Sequence, residues 1–111
     1  MSHSPLEISV VELDQWLKTR TDVALIDCRE ENEYATAKID GAVLIPMSRW
    51  MDSTEKLAEF ADKQIVVHCH HGGRSMRVTQ WLRANGFPTA INLAGGIDAW
   101  SQEVDPAVPR Y

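Results

Sequence analysis

Between residues 65 and 82 the hydrophobic pattern changes period, and the change takes place around a thiol. Ile65, Val66 and Val67 are consecutive, β-branched and apolar, as a buried strand requires, whereas Val78, Trp81 and Leu82 recur at helical spacing after Ser75. The connection, Cys69-His70-His71-Gly72-Gly73-Arg74-Ser75, is short and holds two glycines. A strand handed to a helix through so tight a loop predicts an α/β unit.

The physics of such a loop favours an anion. If residues 70–75 curl around the Cys69 sulfur, their N–H groups point inward and the next helix presents its positive end to the same place. A thiol of pKa near 8.5 is only about 3% ionised at pH 7, and lowering that value by about two units makes it mostly thiolate. Gly72 and Gly73 are both expected to supply the positive backbone angles of the turn, and Arg74 adds a permanent charge.

The heptad CHHGGRS resembles the active loop of the rhodanese family, sulfurtransferases that carry sulfur as a cysteine persulfide: Cys, two variable residues, Gly, one variable residue, Arg, then a small residue. Other landmarks occur in the family's order: Ile26-Asp27-Cys28-Arg29 and Glu33-Tyr34, then Ile39-Asp40-Gly41-Ala42, then Leu93-Ala94-Gly95-Gly96-Ile97-Asp98-Ala99-Trp100. Lys38 departs from the pattern, since many relatives carry His there. The resemblance implies a three-layer α/β/α fold around a five-stranded parallel sheet of order 1-5-4-2-3. It implies Cys69 as the catalytic nucleophile and His70, His71, Gly72, Gly73, Arg74 and Ser75 as substrate-binding residues. A small-molecule sulfur donor, a thiol or cyanide acceptor and a thioredoxin-like protein partner are also implied, with no metal or organic cofactor.

Composition sets the outer bounds. A chain of 111 residues, 44% hydrophobic, suits one domain over 1–111 and is too short for two. Its net charge of -5 argues against binding nucleic acid or an anionic membrane. No apolar run is long enough to span a bilayer, and Met1-Ser2-His3-Ser4-Pro5 lacks the features of a secretory signal, so a cytoplasmic location is expected. The two cysteines, Cys28 and Cys69, have no metal-like spacing and suit a reducing compartment.

In chain order, Ile8 ends a short strand and Ser9-Val10-Val11-Glu12 reads as a capping box opening a helix to about Lys18. Val10, Leu13 and Leu17 share its buried face, with Trp16 beside them. Residues 23–27 read as a strand ending in Asp27. Strand ends are where α/β proteins collect ligands, so Asp27 and Arg29 are supporting candidates, with an ion pair that holds the turn as their simpler role. Cys28 reads as a small buried residue. Residues 30–37 predict a brief helix with Tyr34 turned inward, and residues 42–45 a strand stopped by Pro46. Residues 47–60 predict a broken helix restarting at Ser53-Thr54, with Trp50 and Met51 either lining a substrate mouth or capping the core. A helix from Ser75 to Asn85-Gly86, a strand over 89–93 and a short helix carrying Trp100 follow. The tail, 104–111, reads as extended and peripheral.

Three rivals to sulfur transfer arise. A cysteine phosphatase, or an arsenate reductase using Cys28, exploits the same thiolate in an amide cradle, but phosphatases place five residues between Cys and Arg whereas Cys69 and Arg74 enclose four. A non-catalytic interaction module on the same fold often lacks the Cys. Metal binding by His68, Cys69, His70 and His71 is disfavoured because consecutive residues cannot aim four side chains at one centre.

Overall fold

The computed structural model describes residues 6–111, apart from the side chains of 51, 52 and 54. The reading of residues 1–5 and of the Met51 side chain therefore lies outside the described residues. The elements are β1 (Glu7–Ile8), α1 (Val10–Thr19), β2 (Val23–Asp27), α2 (Glu31–Thr36), β3 (Val43–Leu44), a kinked 3₁₀ segment (Met47–Ser53), α3 (Thr54–Ala58), β4 (Gln64–His68), α4 (Gly73–Ala84), β5 (Ile91–Leu93) and α5 (Gly96–Glu103). All strand pairs are parallel and the sheet order is β1-β5-β4-β2-β3, the order expected.

Each strand presents alternate residues to two apolar layers. Leu25 and Val66 face one side, where α1 and α5 bring Val10, Leu13, Ile97 and Trp100. Ala24, Ile26, Ile65 and Val67 face the other, against Leu57, Val78 and Leu82 of α3 and α4. The same alternation sends Cys28 and Cys69 to the second layer as the ends of adjacent strands.

Local signals predict the elements well. Ser9 Oγ accepts the Glu12 N–H at 3.1 Å while the Glu12 carboxylate takes the Ser9 N–H, so two of the free N–H groups at the start of α1 are satisfied. The helix after the thiol begins at Gly73, two residues before the expected Ser75, and β3 and β5 are shorter than the expected 42–45 and 89–93. Leu17 departs from the amphipathic reading: it is 38% exposed, because the helix turns only its Val10–Leu13 side squarely to the sheet. Trp16 is half-buried, with the Arg20 guanidinium 4.7 Å from its ring centroid. Tyr34 is also only half-buried, beneath the Lys38 ammonium.

The tail corrects the sequence reading more sharply. Val108 is buried in the first apolar layer, and the Ser101 hydroxyl donates to its carbonyl at 2.6 Å. Two prolines in eight residues suggested a peripheral segment, but the apolar side chain between them seats the tail on α5.

Candidate active site

Cys69 follows directly on β4, the central strand, and the loop after it closes over the sulfur. The Gly72 N–H donates to Cys69 Sγ at 3.0 Å, and the main-chain N–H groups of Arg74 and Ser75 also face the sulfur. Burial drives the Cys69 thiol up, but the Ser75 hydroxyl and these three amides outweigh it, and the thiol lies below its ordinary value. The turn depends on Gly72, whose φ of +114° opens α4 from the left-handed region. Gly73 takes no positive φ, contrary to expectation: once Gly72 has reversed the chain, Gly73 is already helical.

Ser75 is fully buried, with its Oγ 3.3 Å from Cys69 Sγ and also hydrogen-bonded to Asn92 Oδ1. A hydroxyl carries one proton, so it serves one acceptor at a time. With a neutral thiol it donates to Asn92 and accepts the S–H; with a thiolate it turns its proton to the sulfur. Asn92 is itself held by donating to Glu7 Oε2 at 2.9 Å. Nothing in the sequence singled out Asn92, because its role depends on β5 lying beside β4.

Arg74 differs from expectation. Its guanidinium is clamped by both oxygens of Glu33, at 2.7 and 2.9 Å, so its charge is neutralised by α2 and what it offers the sulfur is its N–H. Glu33 is one member of a chain of contacts. The Tyr111 hydroxyl donates to Glu33 at 2.9 Å and accepts from Arg29 Nη1 at 2.7 Å, and the Tyr111 ring stacks on His70 at 4.0 Å. Tyr111 was missed because nothing local marks a tyrosine beyond two prolines as a partner for residues about 40 to 80 positions earlier.

Asp27 and Arg29 take the structural role. Both side chains are fully buried, Arg29 grips Asp27 through Nε and Nη2, and its remaining N–H groups reach the Ala37 and Glu33 carbonyls and Tyr111. The pair fastens the end of β2 to α2 without reaching the sulfur. Cys28 is fully buried, and its thiol is pushed far up by burial first, then by the nearby Cys69 and Asp27. His68 is packed inside as expected, its Nδ1–H donating to the Cys69 carbonyl at 3.4 Å, and burial lowers its pKa.

Trp50 caps the core, 6% exposed, and with Met47, Arg77, Val78 and Trp81 lines a cleft of about 270 Å³. A larger cleft of about 780 Å³ lies between Tyr34 to Asp40 and the tail. Cys69 is 1% exposed and lines neither of these clefts.

The first turn of α5 locks the loop from outside. The Ile97 and Asp98 N–H groups donate to the Cys69 and His70 carbonyls at 2.9 and 3.1 Å, and Gly96, at φ +58°, leaves no room for a methyl group against those same oxygens. Gly96→Ala is therefore expected to destabilise the protein by about 3 kcal/mol in urea unfolding, from the clash and the left-handed backbone together.

The Glu33 carboxyl carries a pH dependence. Its bonds with Arg74, opposed by burial and aided by Tyr111, hold its pKa at about 2 instead of 4.5. A carboxyl whose pKa is depressed by folding stabilises above its unfolded pKa and loses that contribution as pH falls through the folded value. Stability is therefore expected to fall between pH 4.5 and about 2, and less so in Glu33→Gln. Because Arg74 is partly solvated, the difference in acid unfolding is about 1 kcal/mol.

A three-layer parallel α/β domain with a cysteine cradled by amides at the end of its central strand defines a rhodanese-type domain. The chain belongs to the rhodanese-like domain family, whose pattern matches residues 9–103. It is 42% identical over 94 residues to Rhodanese-like/PpiC domain-containing protein 12 of Arabidopsis thaliana, covering 81% of this chain and 31% of that one. It is 32% identical over 102 residues to a protein named sulfurtransferase from Allochromatium vinosum, covering 92% and 94%. The chain thus spans less than a third of some curated relatives and nearly all of others. The crystal structure of a rhodanese-like domain protein from Staphylococcus aureus, 32% identical, superposes with a TM-score of 0.78 over 95% of this chain and 97% of that one. Among the described residues no helix is long and apolar enough to cross a membrane.

Proposed function

We propose that the protein is a rhodanese-type sulfurtransferase that carries sulfane sulfur on Cys69. The observation behind this reading is the geometry at the sulfur, where the Ser75 hydroxyl lies 3.3 Å and the Gly72 N–H 3.0 Å from Sγ, contacts that favour a thiolate. The Cys69 thiolate attacks the outer sulfur of thiosulfate; that sulfur's bond to the sulfonate breaks, sulfite leaves with the electron pair, and Cys69 holds a persulfide. A nucleophile such as cyanide then bonds to the outer sulfur and leaves as thiocyanate, returning the thiolate. The amides stabilise negative sulfur before and after transfer. In the cell a thiol, or a thioredoxin-like protein, would take the acceptor's place. His70 and His71, which directly follow the sulfur, would help to attract the anionic donor, and residues 1–111 would act as a single domain.

Two features disfavour a phosphatase. The loop encloses four residues between Cys69 and Arg74 where phosphatases place five, and Arg74 is held by Glu33 instead of being free to clamp phosphate oxygens. Mass spectrometry after incubation with thiosulfate is expected to show the addition of one sulfur atom, removed by cyanide. No adduct, together with turnover of a phosphate ester, would overturn the reading; no adduct and no turnover would favour a non-catalytic module.

A further inference from the structure

The loop carries a second group of donor atoms, formed by the side chains of its two histidines with Asp98 of α5. Among the described residues, His70, His71 and Asp98 each offer one ligand atom, and these atoms lie within 4.8 Å of one another. We propose that they form a binding site for a single divalent cation of the zinc class. This site differs from the set of four consecutive residues considered from the sequence: His68 packs inside, Cys69 is held by the amides, and the third donor comes from α5.

The cluster is built by the fold. Asp98 donates its N–H to the His70 carbonyl at 3.1 Å, which ties its helix to the loop, and the His70 ring is stacked on Tyr111. His71 Nε2 stands 3.7 Å from Asp98 Oδ2. The independent sign of a missing partner is His70 Nε2, which is buried with no hydrogen-bond partner.

Two imidazoles and a carboxylate suit zinc, which takes such ligands at about 2.0–2.2 Å in tetrahedral geometry and leaves a fourth position for water. The donor atoms already lie within 4.8 Å of one another, and the exposed His71 ring packs against His70 with centroids 4.0 Å apart, which keeps the two imidazoles together. Asp98 also accepts from Arg110 at 2.9 Å and from Gln102 at 2.9 Å. Arg110 is 60% exposed, so a doubly charged ion displaces it at small cost.

The test uses tag-free protein with Cys69→Ser, which removes the competing thiolate and makes the outcome independent of sulfur transfer. Calorimetric titration with Zn²⁺ is expected to show one equivalent bound. His71→Ala and Asp98→Asn, each added to that background and checked for folding by circular dichroism, are expected to weaken binding roughly tenfold or more. Co²⁺ is expected to give d–d absorption without the charge-transfer band of a thiolate ligand. Absence of saturable binding, equal binding by both variants, or binding that is present in the native chain and lost on Cys69→Ser would each overturn the proposal.

Discussion

Cys69→Ser is expected to lower thiosulfate-to-cyanide transfer by on the order of 10³-fold or more and to abolish the sulfur adduct, while the unfolding midpoint stays close to native. The change replaces one atom in a site whose shape is set by main-chain groups, so the fold has little reason to respond. Cys28→Ala is expected to keep most of the activity. Cys28 neighbours Cys69 across the sheet, but burial raises its thiol so far that it stays protonated and is a poor nucleophile. Measuring both variants for transfer rate and for the mass adduct decides the assignment. Equal losses in two folded variants would mean that the sulfur is shared between the cysteines.

The second large effect is on stability. Arg29→Met is expected to destabilise the protein by about 3–5 kcal/mol, because it leaves the Asp27 carboxylate fully buried with no counter-charge. For a domain of this size that corresponds to a fall in melting temperature of roughly 10–20 °C. The double variant Asp27→Asn/Arg29→Met is expected to cost less than Arg29→Met alone, since the remaining group is neutral. A folded, thermally unaltered Arg29→Met protein with lost activity would show instead that Arg29 touches the reactants.

The role of this pair illustrates what could be read in advance. Asp27 and Arg29 stood out because they end a strand, and their sequence proximity already suggested an ion pair. Their burial did not follow from two charged letters; it follows from α2 and Tyr111 being folded over them. The reach of Arg74 shows the same limit. A cation five residues after the thiol reads as a charge for the site, yet Glu33, 41 residues earlier, takes both ends of its guanidinium. The sulfur receives its stabilisation from the Ser75 hydroxyl and from N–H groups whose direction depends on the backbone, which is why Gly72 was legible as a turn residue and the partners of the more distant side chains were not.

What residue order alone determined was local: the strand-to-helix switch around Cys69, the Ser9–Glu12 cap and the loop spacing that marks the family, all of which depend on neighbours within a few positions. The tertiary structure decided which distant groups meet. Asn92 behind Ser75, Glu33 on Arg74, Tyr111 between Arg29 and His70, and Asp98 beside His71 come together only when parallel strands and their helices are stacked. Hydrogen bonds and ion pairs act over a few ångströms, whereas these partners are separated along the chain by 17 to 82 residues, and only packing of the layers removes that separation.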